Sequence, residues 1–74
     1  MNLWDACQKV AVERLKLPVG YAICSLELTP HSGEPWEDAR VTVGYPVLIP
    51  GRKRTTYVRK QTTHLRPADL EGLL

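Results

Sequence analysis

The chain has 74 residues, of which 43% are hydrophobic and 24% charged, with a formal net charge of +2 at pH 7. A chain this short buries only about 60% of the surface its unfolded form exposes, which argues against a second domain, a large cavity or the supporting shell of a catalytic pocket. No apolar run reaches the roughly 20 residues of a membrane-spanning helix, and the composition is neither disordered nor collagen-like.

Residues 3–16 predict an amphipathic helix. Leu3, Trp4, Cys7, Val10, Ala11 and Leu15 recur at three- and four-residue spacing and form its apolar face, with Asp5, Gln8, Lys9, Glu13 and Lys16 opposite. Asn2 is the expected N-cap, Asp5 suits the positive end of the helix, and Pro18 is the expected stop. From residue 19 to 28 the period becomes two. Ala22, Cys24, Leu26 and Leu28 should face the helix, with Tyr21, Ile23, Ser25 and Glu27 on the other side. Tyr21 and Ile23 would then form an exposed apolar patch.

Residues 29–38, with two prolines and a glycine, read as a loop. Trp36 within it either tucks back over the sheet or stands out as a binding anchor, and tucking back is favoured. Alternation resumes over residues 39–45, with Ala39, Val41, Val43 and Tyr45 inward and Arg40, Thr42 and Gly44 outward. Pro46 marks a bend or an edge, and residues 47–49 extend to a turn at Pro50-Gly51. Residues 55–61, rich in Thr, Tyr and Val, return as a strand. Pro67 suits the first position of a weak C-terminal helical turn.

The predicted fold is α+β: an N-terminal amphipathic helix on a three- to four-stranded antiparallel sheet, ending in a short helical turn. A small bent β-barrel with an N-terminal helix is the alternative. All 74 residues form one domain, divided into helix (1–18), sheet (19–62, with a basic hairpin at 47–60) and tail or short helix (63–74).

Two cysteines, Cys7 and Cys24, are fewer than a small disulfide scaffold carries, and the N-terminus lacks the pattern of a secretory signal. The expectation is a cytoplasmic protein with free thiols. Together with His31 and His64 the cysteines lack zinc-site spacing, so no metal or cofactor is expected. Nucleophilic catalysis would have to draw on Ser25, Ser32 or Cys24 with His31 or His64. His31 and Ser32 are loop neighbours and poorly preorganised, and no phosphate-binding loop occurs, so a non-enzymatic role is expected.

Charge is unevenly spread along the chain. Residues 1–38 hold three basic and six acidic side chains, a net of −3. Residues 39–66 hold seven basic ones (Arg40, Arg52, Lys53, Arg54, Arg59, Lys60 and Arg66) and no acid. Such a block places a positive field on one side of a small protein. The expected partner-binding residues are Arg52, Lys53, Arg54, Tyr57, Arg59 and Lys60 of the hairpin, with Trp36. The same pattern also describes an ordinary solubilising turn.

The resulting expectation is a small binding protein that occupies the surface of a larger host protein or nucleoprotein complex through its basic hairpin. By analogy of size and charge, it would be a phage- or mobile-element-type regulator of a nucleic-acid-processing machine, such as RNA polymerase or a CRISPR effector. Direct binding of DNA or RNA is the second reading, since a basic two-stranded ribbon fits a nucleic-acid groove. An oligomer that sequesters a nucleotide between subunits is the third.

Overall fold

The computed structural model describes residues 1–30 and 35–74. In chain order it contains α1 (Leu3–Arg14), β1 (Ala22–Thr29), β2 (Asp38–Val47), β3 (Thr56–Leu65) and a 3-10 turn, η1 (Pro67–Leu70). The strands form one antiparallel sheet in the order β1-β2-β3, and α1 packs on one face of it. This is the expected α+β arrangement. The sheet stays open, so the bent barrel is not formed.

Helix α1 begins as its sequence predicts: the Asp5 N–H donates to Oδ1 of Asn2 at 2.8 Å. It ends earlier than expected and for another reason. Leu17 N–H donates to the Val12 carbonyl at 3.1 Å and Lys16 N–H to the Glu13 carbonyl at 3.2 Å, while Lys16 takes a left-handed φ of 54°. This is a Schellman closure, which satisfies the last carbonyls before Pro18 is reached. Ala6, Cys7 and Ala11 are fully buried, and two alanines in this contact let the helix lie close to the sheet. Trp4, expected in the core, is 45% exposed. It stands about 60° round the helix from Cys7, at the margin of the buried stripe.

Strand β1 corrects the expected facing of its first half. Ile23 pairs with Val43 and Leu26 with Val41, leaving a bulge between Ile23 and Ser25. An extra residue in a strand with period two reverses which face each later side chain takes. Ile23 is therefore a core residue, not part of an exposed patch, whereas Leu26 and Leu28 pack inward as expected. Ala22 and Cys24 are only half-buried, and both cysteines are free. Val19, expected in the strand, is fully exposed ahead of it. At this edge strand the Ile23 N–H donates to the Gln8 side-chain carbonyl at 3.1 Å.

Ala39, Val41 and Val43 of β2 are completely buried, as their alternation requires. Tyr45 continues the same face but is 42% exposed, because β1 stops pairing at Gly44. Gly44 itself, expected to point outward, is buried. Strand β2 runs through Pro46, where only β3 flanks it, an edge position of the kind that tolerates proline. Leu48 and Ile49, expected to stay extended, lie beyond the strand. Arg52 N–H donates to the Ile49 carbonyl at 3.1 Å across Pro50 and Gly51, whose φ is 85°, giving a type II turn.

Strand β3 extends four residues past its expected end and places Leu65 in the core. The C-terminal segment also contributes to packing, since Leu70 of η1 is fully buried and Leu73 packs against the core.

Candidate docking surface

Strand β1 leaves the sheet at the Ala22–Gly44 pair, whereas β2 and β3 continue through Tyr45–Val58, Pro46–Tyr57 and Val47–Thr56. The continuation is a two-stranded arm closed by the Pro50-Gly51 turn. It contributes to an elongated molecule measuring 41 × 27 × 20 Å.

The arm carries most of the basic block. Arg52, Lys53 and Arg54 follow the turn and are exposed. Arg59 and Lys60 lie at the root of the arm, where β3 opposes two residues to Gly44 alone. Arg59 has a left-handed φ of 54° at this bulge, a conformation for which glycine is the usual choice. Gly44 is dictated by the same irregularity. A Cβ there would lie 2.9 Å from Tyr57 Cβ and 3.3 Å from Lys60 Cγ, so both side chains close over its backbone. The structure thus brings Tyr57 and Lys60 together on the sheet face opposite α1. Trp36 is not part of this group. It precedes β2 at the far end from the arm and packs, half-buried, against the core.

Among the described residues the carboxylates that hold cations are elsewhere. Arg40 meets Glu27 at 3.3 Å, His64 Nδ1 meets Asp38 at 3.0 Å, and Arg14 meets Asp69 at 2.9 Å. None of these pairs involves Arg52, Lys53, Arg54, Arg59 or Lys60. Two of the expected basic residues are thereby set apart: Arg40 is paired on the open face, and Arg66 lies at the start of η1. Asp69 also accepts from the Arg66 N–H at 2.7 Å. That bond, with the Arg14 guanidinium, holds its carboxyl below the ordinary aspartate range. Burial pushes the Cys7 thiol up, away from the reactive thiolate form.

The residues considered for catalysis are not assembled where they can be described. Ser25 pairs across β2 with Thr42, while His64 of β3 pairs with Arg40. Two strand spacings and a two-residue offset along the strands put Ser25 and His64 about 12 Å apart, beyond hydrogen-bond reach. His31 and Ser32 lie outside the described residues, as do Gly33 and Glu34 of the loop. Among the described residues no three His, Cys, Asp or Glu side chains converge as a metal site. A shallow groove of about 360 Å³ lies beside α1, lined by Gln8, Val12, Pro18, Val19 and Tyr21 among others. No helix of the described residues is long and apolar enough to cross a membrane.

Sequence reasoning missed the apolar side of the arm. Tyr45, Val58, Ile49 and Leu48 are 42%, 39%, 39% and 92% exposed. Their alternation was legible, but the point at which β1 stops covering them was not. Comparison with protein-family models, characterised proteins and solved structures finds no match.

Proposed function

We propose that this protein is a small non-enzymatic docking module that occupies an acidic surface on a larger protein or nucleoprotein assembly, with the β2–β3 arm leading the approach. The observation that carries this reading is the arm itself: five cations beyond the packed core, with no carboxylate partner among the described residues. Exposed cations with no internal ion pair to break are free to meet an acidic partner and steer association before contact. Arg59 adds weight. A charged residue occupies a left-handed position that glycine would fill without steric cost.

A module of this size acts by exclusion: while it sits on a surface, nothing else can. The partners proposed are nucleic-acid-processing machines such as RNA polymerase or a CRISPR effector, and the protein is proposed to be a regulator of the phage or mobile-element type. Direct binding of DNA or RNA is the competing reading. It draws on the ribbon shape, but Tyr45, Leu48, Ile49 and Val58 give the arm much apolar surface that offers base edges and phosphates few hydrogen bonds.

Charge reversal tests the proposal. Partner captured from the native host should associate with a triple variant, Arg52→Glu, Lys53→Glu and Arg54→Glu, at least about tenfold more slowly at low salt, with the difference shrinking as salt rises. Equal rates at low salt would remove the arm from the mechanism. A gel shift on bare duplex or single-stranded nucleic acid, with the logarithm of affinity falling linearly against log salt, would favour the competing reading.

A further inference from the structure

The two faces of the arm differ. On the face that α1 covers, the buried series Ala39, Val41, Val43 continues into Tyr45, its cross-strand partner Val58, and the next pair, Val47 and Thr56. The Gly20-Tyr21 segment lies against this stretch, with the Tyr21 ring edge-on to Tyr45 at 5.6 Å. Tyr45 and Val58 remain 42% and 39% exposed, and Ile49 and Leu48 lie beyond them towards the tip. Cations bracket the strip, with Arg59 next to Val58 at the root and Arg52, Lys53 and Arg54 at the tip.

We propose that this face of the arm receives an acidic amphipathic helix from the partner protein, laid down as a continuation of the layer α1 begins. The inference deepens the docking function proposed above and rests on it. Charge complementarity selects an acidic occupant, because no carboxylate among the described residues answers the bracketing cations. The apolar strip selects an amphipathic one, because a purely charged chain would leave Tyr45 and Val58 in water. The exposed apolar side chains lie on a sheet face, and Pro46, with no N–H to donate, blunts the β2 edge that β1 leaves open. A strand would add at an edge through backbone hydrogen bonds, whereas a face is covered by side chains of a helix. From residue 45 to 49 the strip runs roughly 15 Å, which matches about ten residues or three turns of helix.

The test uses the whole protein, labelled with ¹⁵N, and three probes. The first is a synthetic glutamate-rich peptide with leucines at i, i+3, i+4 and i+7. The second is polyglutamate of equal length and charge, and the third is a short DNA duplex. The amphipathic peptide should become helical on binding, shift the amide signals of Tyr45, Leu48 and Val58, and bind roughly tenfold tighter than polyglutamate, a difference of about 1.4 kcal/mol. Val58→Thr keeps the branched shape that suits a strand and should erase most of that advantage without changing polyglutamate binding. Tyr45→Phe should retain it, which separates lost apolar contact from lost folding.

Equal affinities for the two peptides, with shifts confined to Arg52, Lys53 and Arg54, would overturn the helix-docking inference and leave acidic-surface docking standing. Tight binding of the duplex with neither peptide bound would overturn both. Failure to bind any probe would overturn the helix-docking inference.

Discussion

Asp69 shows how much of this fold is closed by one side chain. Its carboxylate accepts from the Arg66 N–H at 2.7 Å and from the Arg14 guanidinium at 2.9 Å, and Arg14 also donates to the His64 carbonyl at 2.9 Å. One acid thereby ties the end of α1 to the end of β3 and the start of η1. Because folding lowers the Asp69 pKa from 3.8, its contribution to stability is present above about pH 4 and is lost as pH falls through the lower folded value. Asp69→Asn should therefore lower the denaturation midpoint at pH 7, and the gap between variant and parent should narrow towards pH 2. Urea titrations at the two pH values check this, and an equal loss at both would show that charge is not the cause. Lys16 and Arg59 share a left-handed φ of 54° but serve different ends. One closes a helix; the other holds a cation at the root of the arm.

Bulges govern the elements. Period-two patterning placed Leu26, Leu28, Ala39, Val41 and Val43 on the covered face because alternation in a strand is set by backbone geometry alone. It failed at Ile23 and Cys24, since a bulge depends on how two strands meet and leaves no mark in either sequence alone. Along β3 the same limitation hid the strand's true end: Thr62, Thr63 and His64 look polar enough for a loop, yet they pair with Thr42, Val41 and Arg40. The candidate site was legible as a basic hairpin because Pro50-Gly51 fixes its turn and seven cations follow one another without an acid. Its apolar side was not, because exposure there depends on where β1 stops pairing with β2. Leu70 was missed for a similar reason: a short C-terminal turn is buried only because the end of α1 lies beside it. Leu70→Ala should cost about 2–5 kcal/mol, a large share of the roughly 4–11 kcal/mol a domain this small possesses. Chemical denaturation would reveal a loss under about 1 kcal/mol if η1 were merely appended to the domain.

At the scale of the whole molecule, folding and recognition occupy separate regions. Among the described residues, the nine buried hydrophobic side chains, from Ala6 to Leu70, lie outside the arm. Replacing residues 46–57 by Asn-Gly, a turn suited to a two-residue hairpin, should leave the remaining domain folded. The expected stability change is about 1 kcal/mol or less, because no core side chain is removed and the closed loop becomes shorter. Circular dichroism and thermal melting check the folding, and the shortened protein should no longer bind an acidic probe. Collapse of the fold would show that the arm contributes to the core it projects from.

The Gln8 amide bound to the Ile23 N–H has one more effect. A sheet with two bare margins invites copies of itself to stack rung upon rung, the route by which small β-rich chains turn into fibres. By filling one rung of the first strand from above, a helix side chain acts as a stopper against that growth, so the same helix that shields the interior also guards the rim.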